Sequence, residues 1–210
     1  MIFRRDHFAC LLAAALALSS CGDQEPELTP LDRARAAFAA GDAMDAQIQL
    51  EKLLSQGVDR TELAAYLGEA ALAQGNLDQA RDWLSAGAFS KGTMALGYRM
   101  LGRLALAEGD LAEAGRAFDR AYTIDPDDPE LWVDIGRLRY RGGEQFQAIE
   151  ASERAVALDP KNAAALQFRG QLARDAQGMA VGVAWFSHVL AQQPNNVELR
   201  VEYAAALGDA

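Results

Sequence analysis

The chain has 210 residues, half of them apolar, and carries a formal net charge of −10 with a pI near 4.7. So acidic a surface excludes a broad phosphate-binding role, because nucleic-acid affinity is built on clustered lysine and arginine. The length suits one extended domain of about 180 residues rather than two globular ones.

At the amino terminus Arg4 and Arg5 precede the apolar run Phe8-Ala9-Cys10-Leu11-Leu12-Ala13-Ala14-Ala15-Leu16-Ala17-Leu18, which is too short to span a bilayer comfortably and reads as a secretory signal. The residues after Arg5, Asp6-His7-Phe8, match twin-arginine export poorly. The run ends in Leu18-Ser19-Ser20-Cys21, which resembles a bacterial lipobox. That resemblance implies a signal peptide over 1–20, a diacylglyceryl group on Cys21, and a polar tether over 21–26. The competing reading is an ordinary signal peptide or uncleaved anchor with an incidental cysteine. Several acyl chains anchor a protein stably where one binds only marginally. Cleavage removes Cys10, so no intrachain disulfide can brace the remainder. Loss of Arg4, Arg5 and Asp6 leaves −11 on the mature part. In the familiar sorting rule aspartate after the cysteine retains a lipoprotein at the inner membrane; Gly22 stands there, so the outer membrane, periplasmic side, is the expected place.

Beyond the tether the chain repeats. Gly68, Gly102, Gly136 and Gly170 stand 34 residues apart, Ala46, Ala80, Ala114 and Ala148 keep the same interval, and Gly41, Gly75, Gly109 and Gly143 mark a turn between them. Each unit therefore holds a first helix with a small residue at its middle and a second with one in its first turns. A helix-interior glycine costs about 1 kcal/mol relative to alanine, so four at matching places require a close approach. The knobs are Trp132 and Leu166, then Leu67, Leu101 and Ile135, and in the second helices Leu84, Phe118 and Phe186, at helical spacings of three or four. The units run 27–60, 61–94, 95–128, 129–162 and 163–196, with a sixth begun over 197–210. Three close on Asp125-Pro126-Asp127-Asp128, Asp159-Pro160-Lys161-Asn162 and Pro194-Asn195-Asn196, where proline stops one helix and Asp or Asn caps the next.

This pattern resembles the tetratricopeptide repeat, most closely in Leu131-Trp132-Val133-Asp134-Ile135-Gly136 through Ala148 to Pro160. The resemblance covers residues 27–210 and implies an all-α, right-handed superhelical solenoid. Departures are Ala34 for the first glycine, Gln177 and Gly182 for the turn glycine and alanine of unit five, and Arg139 and Arg169 at places usually apolar. The arginine stems can cover apolar surface while the head groups reach a carboxylate. Trp83 and Trp185 occupy matching positions and read as inter-repeat packing. The chain stops at Gly208-Asp209-Ala210, short of the second helix of unit six, so the pattern expects further repeats in the natural protein; the alternative is a terminal cap.

Arginines concentrate in the first helices of units three and four. Arg99 with Arg103, and Arg137 with Arg141, are i,i+4 pairs, and Arg103 and Arg137 hold the same place in adjacent units. The resemblance implies that this face lines the concave groove, together with Tyr66, Met100, Tyr140 and Phe168. Arginine forks bind carboxylates and the aromatic and methionine side chains hold apolar anchors, so the partner expected is an acidic or carboxylate-ended protein segment. The competing reading pairs these arginines internally, with Asp134, Glu108 or the acidic second helices.

No catalytic constellation appears. Past the leader the sole histidine is His188, with no acid to orient it. HExxH, CxxC and glycine-rich phosphate loops are missing, so no metal, nucleotide or other cofactor is expected. Asp125, Asp127 and Asp128 flank Pro126 and Pro129 and read as helix caps rather than a calcium cluster. The leading functional expectation is a non-enzymatic, lipid-anchored periplasmic scaffold for an envelope assembly or export machine. Repeat lipoproteins of similar kind serve pilus assembly, outer-membrane protein assembly and exopolysaccharide systems. The alternatives are an enzymatic or further repeat region beyond Ala210, and a regulator of a peptidoglycan enzyme.

Overall fold

A computed structural model describes residues 28–194 and 197–208; Cys21 and the rest of 1–27 lie outside them. The described residues form eleven helices: α1 (Pro30–Ala39), α2 (Ala43–Ser55), α3 (Arg60–Ala73), α4 (Leu77–Leu84), α5 (Met94–Glu108), α6 (Leu111–Ile124), α7 (Pro129–Arg141), α8 (Gln145–Leu158), α9 (Ala163–Gln177), α10 (Met179–Gln192) and α11 (Val197–Gly208). Each odd-numbered helix through α9 packs on the even-numbered one after it, and consecutive pairs stack, with α3, α5, α7 and α9 also touching in sequence. Short polar side chains start most of them. Thr29, Asp42, Asp59, Asn76, Asp110, Asp128 and Asn162 each accept a backbone N–H of the following first turn. Such a cap contributes about 1 kcal/mol.

The helix-interior glycines are notches for the large knobs. A Cβ built on Gly68 would lie 2.4 Å from the Leu84 side chain, on Gly102 2.2 Å from the Phe118 ring, and on Gly170 2.5 Å from the Phe186 ring. No side chain fits at such distances, so each glycine sets how closely the two helices of its unit approach. Unit four solves the problem differently. Its second helix carries Ser152 where Phe118 and Phe186 stand one repeat away on either side, and Ser152 is fully buried, its hydroxyl donating to Ile149 O at 2.7 Å. The notch at Gly136 is filled instead by Phe168 of α9, 2.6 Å from the built Cβ.

The departures in the sequence have local reasons. Ala34 is fully buried in a cluster with Leu50, Leu63 and Leu67, so in the first unit alanine does the work of glycine. Between α9 and α10 the turn is Gly178 alone, at φ 92°, and a Cβ on Gly182 would meet Arg174 Cβ at 2.7 Å. Unit two breaks the pattern most: α4 ends after eight residues, and Phe89 of the following irregular segment packs over Gly97. Arg139 reaches Glu144 at 2.9 Å, and Arg169 reaches Glu153 at 3.4 Å while lying over Trp185. Trp83 sits beneath Arg60 and bridges the clusters of units one and two, as inter-repeat packing requires.

Candidate functional site

Three first helices, α5, α7 and α9, enclose a cleft of about 440 Å³. Its lining includes Arg103, Arg137, Tyr140, Arg141 and Phe168, five of the eight residues the sequence places in a groove. The guanidinium of Arg137 lies 5.9 Å from the centre of the Phe168 ring. Arg141 donates from Nη1 to the carbonyl of Leu106, near the end of α5. Tyr140 donates its hydroxyl to Asp175 Oδ2 at 2.7 Å, and that bond, ahead of burial, raises the phenol above its ordinary range.

The other three residues sit elsewhere. Met100 is fully buried in the core shared by α3, α4 and α5 and presents nothing to a ligand. Arg99 is 8 % exposed; its Nη1 donates to Asp128 Oδ2 at 3.0 Å, and Glu69 lies 4.0 Å away. Burial weakens this cation, yet Asp128, Asp134, Glu69 and Glu130 outweigh it and raise its pKa. Tyr66 lines a separate cleft with Arg35, whose Nη2 donates to the tyrosine oxygen at 2.9 Å. The i,i+4 spacing of Arg99 and Arg103 is real, but Glu69 of α3 and Asp128 before α7 hold the Arg99 guanidinium in a buried pair. The cleft opens only from Arg103 onward.

Asp134 sits at the heart of the cleft, 3 % exposed. One of its oxygens, Oδ1, lies 3.9 Å from Arg103 Nε and 3.4 Å from Arg137 Nη1. Burial raises its carboxyl above the ordinary range, against the pull of Arg103, Arg99 and Arg137. Glu69 is raised by burial as well, against Arg99 and Arg103. Internal pairing with Asp134, anticipated as the competing reading, is therefore present, but it leaves most of the donors unused. A guanidinium offers five N–H groups. Among the described residues Arg103 makes no hydrogen bond and Arg137 makes one long one.

The far wall holds residues the sequence reading passed over. Gln171, Arg174 and Asp175 of α9 line the cleft, with Arg174 Nε on Asp175 at 3.1 Å and Nη1 3.8 Å from Glu202 of α11. The signal that places them is the interval itself, since they stand one 34-residue step after Arg137, Tyr140 and Arg141. The acidic run before α7 is occupied by capping and pairing: Asp128 accepts Glu130 N, Asp125 accepts Asp127 N, and Asp127 pairs with Arg154. His188 contacts Gln192. Among the described residues no group of three or more His, Cys, Asp or Glu is placed to hold a metal, and no helix is long and apolar enough to cross a membrane.

Stacked antiparallel helix pairs with a cleft formed by their first helices define a helical-repeat solenoid. Two tetratricopeptide repeat family models match the sequence, over residues 31–93 and 105–172. The chain belongs to the tetratricopeptide repeat family. No curated protein matches its sequence. Among solved structures it is similar to a thermophilic tetratricopeptide repeat protein of Thermus thermophilus, at 22% identity and a TM-score of 0.73 over 85% of this chain and 97% of that one. It is also similar to MamA of Desulfovibrio magneticus RS-1 (15% identity, TM-score 0.53, 80% and 95% covered) and to PilF of Pseudomonas aeruginosa (16%, 0.55, 86% and 81%). At these identities the likeness is one of fold. The tetratricopeptide repeat fold suggests a protein–protein interaction scaffold, and its members are generally non-catalytic.

Proposed function

We propose that this protein is a non-enzymatic scaffold, anchored by lipid on Cys21 to the periplasmic side of the bacterial cell envelope, whose first-helix cleft captures an acidic segment of a partner protein. The observation that carries the binding half is the cleft's charge. In a chain of net charge −10, the open cleft collects Arg103, Arg137, Arg141 and Arg174 against two carboxylates, Asp134 and Asp175, with Phe168, Leu172 and Leu106 as apolar floor. Such a local field attracts anions that the rest of the surface repels, and desolvated guanidinium forks hold carboxylates firmly. The anchoring half rests on Leu18-Ser19-Ser20-Cys21 behind its apolar leader. The partner belongs to an envelope assembly or export machine, with the periplasmic side of the outer membrane as the expected place.

Crosslinking in the native envelope followed by mass spectrometry, with Cys21→Ala alongside, tests both halves. Recovery of components of one machine with the wild type, and their loss with Cys21→Ala, is the expected result. Unchanged membrane fractionation of Cys21→Ala would remove the lipid anchor from the account. Equal recovery from a variant reversed at Arg103 and Arg137 would remove the cleft.

A further inference from the structure

Asp134 is an unusual tenant for an anion-binding cleft. It comes from the middle of α7, is nearly inaccessible, and places a single oxygen between two guanidinium groups from neighbouring repeats. Neither contact is a short, forked pair: at 3.9 Å and 3.4 Å both exceed the roughly 2.7–2.9 Å of charge-assisted hydrogen bonds. The carboxylate thus offsets the charge of Arg103 and Arg137 without a short forked pair, and both arginine side chains, about one-third exposed, line the cleft. An incoming anion gains those forks but shares the field of its seat with a charge of its own sign.

We propose that Asp134 is a built-in competitor for the anion seat between Arg103 and Arg137, setting how tightly the cleft holds an acidic partner. This rests on the reading of the cleft as the partner site. The surroundings make the competition titratable. Facing Asp134 are Glu69 of α3, Arg99 and Arg103 of α5, and Glu130 and Arg137 of α7. The α8 charges Glu153 and Arg154 are engaged by Arg169 and Asp127 instead. On α9 the nearby group is the Phe168 ring, and Arg174 and Asp175 farther along pair with each other. Burial raises the Asp134 and Glu69 carboxyls, so both take up protons on acidification before an exposed carboxylate does. The cleft then becomes more positive.

The test uses a probe whose charge does not change in this range: a rhodamine-labelled octapeptide with two cysteic acids and two leucines, followed by fluorescence anisotropy on the full chain. Asp134→Asn is expected to bind it about tenfold more tightly than wild type at pH 7, a difference of about 1.4 kcal/mol. Wild-type affinity is expected to rise as pH falls from 7 toward the ordinary carboxylate range, with a smaller rise in Asp134→Asn. Equal or weaker binding by a folded Asp134→Asn overturns the competitor role and makes Asp134 a positioning residue for the arginines. A peptide bound by neither protein overturns the partner-site reading, and this inference with it. Should Asp134→Asn fail to fold by circular dichroism, Asp134→Ser takes its place, with tighter binding again expected and equal or weaker binding sinking the proposal.

Discussion

Two clefts among the described residues use their charges differently. The first-helix cleft holds Arg103 and Arg137 beside Asp134, with no short ion pair at either, and Arg141 on the Leu106 carbonyl. A second, of about 580 Å³, lies between α6 and α7 and has a more aromatic lining, with Phe118, Tyr122, Trp132, Ile135 and Leu138. Its cations are already satisfied: Arg116 donates from Nε to Glu113 at 2.9 Å and Arg139 to Glu144 at 2.9 Å, while the Trp132 indole donates to Pro126 O at 2.8 Å. Size alone would favour the second cleft as a ligand site. The long contacts of Arg103 and Arg137, against the short ion pairs of Arg116 and Arg139, favour the first, because specificity for a charged segment comes from charges not yet closely paired.

Charge reversal should separate the clefts most sharply. Arg103→Glu with Arg137→Glu is expected to weaken binding of an acidic peptide about a thousandfold, near 4 kcal/mol for removing paired, partly buried charges. Arg116→Glu with Arg139→Glu should change it less than about twofold, as for surface charges; comparable losses by anisotropy would erase the distinction.

Glycine substitution comes next. Gly102→Ala drives a methyl into the Phe118 ring and should cost about 2 kcal/mol of stability by denaturant unfolding. Gly115, in the lining of the second cleft, meets nothing nearer than Leu138 Cδ2 at 3.8 Å, so Gly115→Ala should stabilise by about 1 kcal/mol. Destabilisation there would mean that the second cleft is more tightly packed than its geometry implies.

The smallest effect concerns Glu69. Its pKa is raised in the folded state, so its contribution to stability is full below the ordinary carboxylate range and is lost as pH rises through the raised value. Melting temperatures of wild type and Glu69→Gln should therefore be close at pH 4, with the variant gaining on wild type by pH 7. A constant gap across that range would contradict the assignment.

The fold was legible because its determinants are local and recur: a notch glycine, a turn glycine and a knob at fixed intervals specify a helix pair whatever the surface does. The irregular segment after α4 was not, since Leu84 still fills the Gly68 notch and the pattern there looks intact. The site was read in part. Helical spacing groups Arg137 with Arg141, and both line the cleft, but spacing cannot tell which side chains the neighbouring helices cover, and Arg99 and Met100 are buried. Asp134 was visible as a pairing partner, yet its central position depends on the stacking of α5 on α7, which no spacing within one helix conveys.

The exchange of knobs in unit four bears on how the array opens. Wherever a unit fills its own notch, it can in principle melt with only its interfaces disturbed, as in a chain of nearest-neighbour couplings. At Gly136 the filler belongs to the next unit, so residues 129–177 are expected to exchange amide hydrogens as one cooperative block rather than two. Phe168 also lies beneath the Arg137 guanidinium. The anion seat and this cooperative block therefore share a side chain, and a partner bound at Arg137 would be felt as slower opening of two repeats at once.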